Sequence, residues 1–219
     1  MNTLPDPLTV VTVLAALGLA PFLALLVTSY TKLVVVLGLL RLALGVQQVP
    51  PNMVLNGLAI MLSIYIMAPI GMNTWDAIKQ RAANSTGETK FADVERVVES
   101  ATPPLKKFLG KHVKERERKF FLKSAGDLWP KERAADLRDD DMLVLVPSFT
   151  VSELSEAFQI GFVIYLAFIV IDLVVANVLL ALGMQMTSPT VISVPFKLLL
   201  FVVLDGWSRL VHGLVLTYQ

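Results

Sequence analysis

Residues 158–186 read FQIGFVIYLAFIVIDLVVANVLLALGMQM, an apolar run interrupted by one acidic residue, Asp172. A helix needs roughly 20 apolar residues to cross about 30 Å of hydrocarbon, so this run is long enough to span a membrane. The chain as a whole has the same character, with 55% apolar and 17% charged residues. Soluble proteins carry about 25% charged residues, and a chain of this size could not bury such an apolar excess in one core. The sequence therefore predicts an integral membrane protein.

The charged residues are concentrated in the middle of the chain. Between Met72 and Asp141 lie 15 of the 19 Lys and Arg residues and 13 of the 18 acidic residues. We therefore predict an all-α protein of three parts. These are an N-terminal apolar helical region at 1–71, a soluble helical insert at 72–142 and a C-terminal apolar helical hairpin at 143–219.

Local patterns place the helices within these parts. Leu8 to Tyr30 predicts a retained membrane helix bent near Pro21, because no basic residue or clean cleavage pattern marks it as a signal peptide. Leu33 to Val46 is too short to span, which favours a re-entrant or bundle-buried helix. Met53 to Gly71 is a second span.

In the insert, Thr102-Pro103-Pro104 predicts a helix start, and Leu105 to Ala125 predicts one amphipathic helix. Leu143 to Val146 is a short apolar stretch that Pro147 should end.

Composition excludes several functions. A net charge of +1 gives no basic face for nucleic acid. The chain has no cysteine and two histidines, so thiol catalysis and a histidine-rich metal site are excluded. No phosphate loop or nucleophile motif is present, and we predict a protein that is not an enzyme and has no cofactor.

Four charges, Asp172, Lys197, Asp205 and Arg209, lie within the C-terminal apolar segments, and each costs several kcal/mol unless it is paired. If these segments form a simple hairpin that turns near Ser188, Asp172 lies about 24 Å from the turn and Lys197 only about 14 Å. That difference in depth predicts that the two do not pair, and it places Asp205 level with Asp172. Two acids at one depth repel, so either one of them holds its proton or they need cations from elsewhere in the chain or from a neighbouring chain. Location in headgroups or water, and a proton relay, are the alternatives.

Lys32 and Arg41 are the cations of this chain that could serve. Glu153 and Glu156 precede the long apolar run, where acids are favoured at a helix N-terminus. An ion pair between subunits is the other interpretation of these two glutamates.

Several motifs then occur in a fixed order over both apolar parts, roughly two thirds of the chain. They are Arg41-Leu-Ala-Leu-Gly45, Pro50-Pro51-Asn52-x-Val54-Leu-x-Gly57-Leu, Ser152-Glu153-Leu, Ala157-Phe-Gln-Ile-Gly-Phe162, Ile171-Asp172-Leu-Val-Val-Ala176, Ala181-Leu-Gly183-Met184, Ile192-Ser-x-Pro195-Phe-Lys-Leu-Leu-Leu200 and Asp205-Gly206-Trp207. This set resembles the type III secretion export-gate R subunit family, which includes the flagellar export protein P.

The resemblance implies a core subunit of an export gate in the bacterial inner membrane. About five copies would form a helical ring with small S and T membrane subunits, making the pore through which unfolded substrates cross. The helices would sit largely above the bilayer plane once assembled, and the insert would face the periplasm.

The resemblance also assigns roles to particular residues. A methionine-rich loop, here Met184-Gln185-Met186, would constrict the pore as a deformable seal, although Gln185 interrupts it. The alternative is that Met184 and Met186 simply pack in a hairpin corner. Glu153 would contact a neighbouring subunit, and the remaining buried or inter-subunit charges, Arg41, Asp172, Lys197 and Asp205, would be satisfied inside a multi-chain bundle. We expect Asp172→Leu to leave insertion intact and to weaken ring formation.

Two other functions remain open on the residues alone. A small secondary transporter would bind a solute or ion near discontinuous helices at the midplane. A membrane scaffold would instead recruit a partner through its soluble insert.

Overall fold

The computed structural model describes residues 7–83, 90–184 and 186–219, and these residues form an all-α fold. Its helices are α1 Pro7–Val27, α2 Tyr30–Leu44, α3 Asn52–Ala83, α4 Lys90–His112, α5 Glu115–Leu128, α6 Lys131–Ala135, α7 Met142–Ala181, α8 Pro189–Val203 and α9 Gly206–Leu216. The helical fold with apolar membrane helices is as the sequence predicts.

Two helices are long and apolar enough to cross a membrane, one at Asn52–Ala77 within α3 and the other α7. Two further spans are possible if each of two bent helix pairs is counted as one. The segment Pro21–Val27 meets α2 at 77°, and α8 meets α9 at 64°. The described residues thus offer two to four spans by length and composition.

Helix α2 lies at the centre of the fold, packed between α3 and α7. Its residues Leu33, Val36 and Leu37 are fully buried. Small residues on the two neighbours, Ala59 on α3 and Ala157 on α7, are also fully buried and allow close approach. The short apolar segment is therefore buried in the helix bundle.

Two of the proline-based helix boundaries are wrong, because α4 continues through Pro103 and α7 through Pro147. Helix α1 includes Pro21, and the chain turns at residues 28–29, between α1 and α2. An interior proline costs about 3 kcal/mol. That cost is small beside the apolar burial of a long helix, so tertiary packing decides where these helices end.

The predicted amphipathic helix of the insert is in fact two helices, α4 and α5, which separate at Val113 and Lys114. The Lys114 amide donates to Ser152 Oγ at 3.0 Å, and the Arg118 guanidinium donates to the Gly110 carbonyl at 2.9 Å. These bonds satisfy backbone groups that a helix break exposes. Beside the break, an apolar cluster that includes Val113 and Phe149 joins the insert to α7.

Candidate functional site: a methionine turn and two buried ion pairs

The turn between α7 and α8 presents the two methionines. Gly183 adopts φ +72°, and its amide donates to the Leu180 carbonyl while the Met184 amide donates to the Leu179 carbonyl. These two bonds form a Schellman cap, in which glycine takes the left-handed conformation that other residues avoid. The cap ends α7 sharply and begins the connection to α8.

The two methionines are not equally exposed. Met186 is fully exposed, and Met184 is 44% exposed. Met184 lines one end of an open apolar groove of about 870 Å³ between α7 and α8, together with Leu179 and Leu182. Burial in a hairpin corner therefore does not describe Met186. Gln185 lies outside the described residues.

The first ion pair joins α8 to α7, and here the depth argument from sequence is wrong. Lys197 Nζ lies 2.6 Å from Asp172 Oδ2 and 3.2 Å from the Ala43 carbonyl oxygen, which accepts its hydrogen bond. Ser193 Oγ donates to Asp172 Oδ1 at 2.6 Å. Lys197 is buried, so its charge depends on these partners.

The error came from treating residues 182–188 as helical. In the structure α7 ends at Ala181 and α8 begins at Pro189. Counted from those ends at about 1.5 Å per residue, Asp172 and Lys197 lie about 14 and about 12 Å from the turn, which is nearly the same depth.

Asp205 lies away from the Asp172–Lys197 pair. The prediction that Asp205 and Asp172 lie at the same depth is therefore also wrong. It lies at the corner between α8 and α9, with φ 51° in the left-handed region where Asp is tolerated. Its carboxylate accepts a hydrogen bond from Ser208 Oγ at 3.1 Å and is exposed. A turn thus replaces the continuous helix on which the depth estimate depended.

Arg41 is engaged within the chain. Its guanidinium donates to the Pro50 carbonyl at 3.2 Å and to Asn52 Oδ1 at 2.6 Å. It therefore ties the end of α2 to the start of α3 and does not neutralise Asp172 or Asp205.

The second ion pair lies between α2 and α7. Lys32 Nζ is 3.0 Å from Glu153 Oε1 and 2.8 Å from Glu156 Oε2, and both Lys32 and Glu153 are fully buried. Glu156 also lies 3.6 Å from Lys114 Nζ at the insert break. The helix N-terminus interpretation of the glutamates is wrong, because α7 begins eleven residues before Glu153. A contact of Glu153 with another subunit stays a prediction, since its carboxylate is engaged inside this chain.

Sequence reasoning missed one member of this group, Tyr218. Its hydroxyl donates to Glu153 Oε2, and its ring lies 4.2 Å from Lys32 Nζ. Burial, and then the Glu153 carboxylate, raise the pKa of Tyr218 above its usual range, so the phenol remains a donor. No local pattern marks this residue, because its partners lie far away in the sequence.

His112 packs edge-on against Tyr218, with ring centroids 5.1 Å apart. Burial lowers the pKa of His112, and the positive charges of Lys111 and Lys32 lower it further. The group therefore carries two lysines and two glutamates beside a histidine whose neutral form is favoured. This arrangement joins helices through balanced charges.

Known proteins are similar to this chain over nearly its whole length. Residues 13–214 match the FliP family. The hypersensitivity response secretion protein HrcR of Ralstonia nicotianae is 57% identical over 207 residues, 93% of this chain and 94% of the relative. Yop proteins translocation protein R of Yersinia pestis is 52% identical over 218 residues, 100% of this chain and 99% of the relative. Virulence protein YscR of Salmonella typhimurium is 41% identical over 223 residues, 99% of this chain and all of the relative.

The chain belongs to the FliP family of structural secretion components, which are not enzymes. The resemblance to the type III secretion R subunit is thereby confirmed, and the chain is a component of a type III secretion apparatus that assembles with other subunits.

Proposed function

We propose that this chain is a core subunit of the export gate in the bacterial inner membrane and forms the pore through which unfolded substrates cross. The proposal includes about five copies with small S and T membrane subunits, a periplasmic insert, and a seal made by Met184, Gln185 and Met186.

The observation that carries the proposal is the fully exposed Met186 on a sharply capped turn between two apolar helices. Thioether side chains are flexible and apolar, so a ring of them would seal against ions and deform around a passing chain. The apolar sides of α7 and α8 support assembly, since exposed apolar surface of this extent marks a lipid or protein contact.

Native mass spectrometry of the detergent-extracted protein, alone and with the S and T subunits, tests assembly. A ring of about five 24.0 kDa chains that takes up those subunits supports the proposal. A monomer or dimer that ignores them contradicts it. Solute uptake by a single species in liposomes would favour a secondary transporter, and partner capture by the insert alone would favour a scaffold.

Ion leakage tests the seal. We expect Met186→Ala, and more strongly Met184→Ala with Met186→Ala, to raise the conductance of membranes that contain the assembled gate. Met53→Ala is the matched control, because Met53 is 86% exposed at the start of α3, far from the turn in sequence. Equal conductance of the double variant and the control would contradict the role of the methionines in the seal. It would not contradict the proposal of an oligomeric pore, which native mass spectrometry tests separately.

A further inference from the structure

Tyr218 follows α9 and packs where the insert meets the membrane-derived helices. Its hydroxyl donates to Glu153 on α7, and its ring covers the ammonium of Lys32 on α2 at 4.2 Å. On the other side lie two rings of α4. The Phe108 ring is stacked with its centroid 6.1 Å from that of Tyr218, and the His112 ring lies edge-on at 5.1 Å.

These contacts connect parts of the chain that are distant in sequence. The hydrogen bond to Glu153 joins residues 65 positions apart. Lys32, Phe108 and Glu153 belong to the N-terminal region, the insert and the C-terminal hairpin, respectively. A single side chain therefore bridges all three parts of the predicted organisation.

The hydroxyl and the ring of Tyr218 make different contacts. Glu153 is fully buried, and its two oxygens face different partners, with Oε1 near Lys32 and Oε2 accepting from Tyr218. Without the hydroxyl, Oε2 would lose this donor in a place that water does not reach. The ring adds a cation–π contact to Lys32 and aromatic packing to α4.

We propose that Tyr218 is a latch that holds the C-terminal end of α4 and the end of α9 against the α2–α7 ion pair. With the latch closed, the insert and the membrane-derived helices form one packed unit. Withdrawal of the tyrosine loosens the C-terminal end of α4 and the end of α9, while Leu214 of α9 stays in the apolar cluster of α2, α3 and α7 and Leu109 of α4 stays packed with Phe149 of α7. The latch requires both the hydroxyl and the ring, and it does not depend on the pore function proposed above.

Hydrogen exchange of the full chain in a lipid nanodisc tests the latch. Tyr218→Leu removes the hydroxyl and the ring, and Tyr218→Phe removes only the hydroxyl. The matched control is Tyr65→Phe, since Tyr65 is 69% exposed on α3 and undergoes the same chemical change. The readout is the exchange rate of backbone amides in residues 106–113 and 206–218, compared with that in α2, α3 and α7.

We expect Tyr218→Phe to accelerate exchange in both windows by about tenfold, the size expected for losing a hydrogen bond to a charged group. Tyr218→Leu should accelerate it further, because the ring contacts are lost as well, and Tyr65→Phe should have no effect. Exchange at 106–113 that stays at the wild-type rate in Tyr218→Leu would overturn the latch. So would equal acceleration throughout α2, α3 and α7, because Tyr218 would then be one core contact among many. A Tyr218→Phe variant with wild-type rates would also overturn it, since the hydroxyl would hold nothing.

Discussion

The ammonium of Lys197 lies 2.6 Å from the carboxylate of Asp172, and it also donates to the backbone carbonyl of Ala43. One side chain of α8 is thereby bonded to α7 and to the end of α2. The two charges, expected from sequence to lie at different depths, neutralise one another inside the chain.

Asp172→Leu should therefore destabilise the single chain, and this effect does not depend on ring formation. Removing one partner of a buried ion pair costs about 3–5 kcal/mol, and we expect about 3 kcal/mol, since the Asp172 side chain is 40% exposed. Thermal unfolding of the full chain in detergent measures this loss. The double variant Asp172→Leu with Lys197→Met should recover most of it, because no buried charge then remains unpaired.

Asp127→Leu is the matched control, since Asp127 is exposed on α5 and its loss should change the free energy of unfolding by less than about 0.5 kcal/mol. The weaker ring formation expected for Asp172→Leu stays a prediction, to be read by native mass spectrometry on the stability-matched double variant. Unchanged thermal stability of the single variant would contradict the intrachain pair.

Two glycines, Gly38 within α2 and Gly45 at its C-terminal end, should change stability in opposite directions when replaced by alanine. Gly45 has φ +77°, and an added Cβ would lie 2.9 Å from Val194 Cγ2 on α8. Gly45→Ala should cost about 2 kcal/mol, because the left-handed backbone alone costs an alanine about 1–2 kcal/mol. Gly38 lies within α2, and a Cβ there would meet nothing within 4 Å. Gly38→Ala should therefore raise stability by about 0.5–1 kcal/mol through helix propensity. Melting temperatures that move in the same direction would contradict this account.

These residues also show which features of the fold could be predicted from the sequence. The run at 158–186 predicted a membrane helix, because hydrocarbon thickness sets a length that any single chain must satisfy. The depths of Asp172 and Lys197 could not be obtained in the same way. They depend on where the Schellman cap at Gly183 ends α7, and counting residues 182–188 as helical shifts the depth of Asp172 by about 10 Å.

The remaining contacts of the site could not be predicted from the sequence for a related reason. The contacts among Lys32, Glu153 and Tyr218 join residues that are distant from one another in sequence, and no local periodicity encodes such contacts. At Pro147 the local sequence predicted a helix end that the structure does not have. Pro147 is a strong local signal for ending a helix, but the packing of α7 outweighs it.

His112 should make the stability of the chain depend on pH. Its pKa is lowered from the usual value of 6.5 by burial and by Lys111 and Lys32, so the unfolded chain binds a proton more readily than the folded chain. The contribution of neutral His112 is present above about pH 6.5 and is lost as the pH falls below that value. Thermal unfolding at about pH 7.5 and about pH 5.5 should show a lower melting temperature in acid.

His112→Gln should reduce this difference between the two pH values, because glutamine does not titrate. His212→Gln is the matched control and leaves the His112 contribution in place. A His112→Gln variant that loses as much stability in acid as the wild type would assign the pH dependence to other groups.

The ion pair between Lys32 and Glu153 gives the sharpest separation of folding from assembly. Lys32→Met leaves the fully buried Glu153 without its cation, and we expect a loss of about 3–5 kcal/mol in the free energy of unfolding. Adding Glu153→Met to that variant removes the stranded charge and should restore part of the stability, because apolar replacements of buried ion pairs are often tolerated but the Tyr218 hydroxyl loses its acceptor. If Glu153 acts only within the chain, the double variant should also form rings in native mass spectrometry. If it also contacts a neighbouring subunit, as the resemblance implies, the double variant should be stable as a single chain and yet form few rings. A double variant no more stable than Lys32→Met would mean that the ion pair is not what the lysine stabilises.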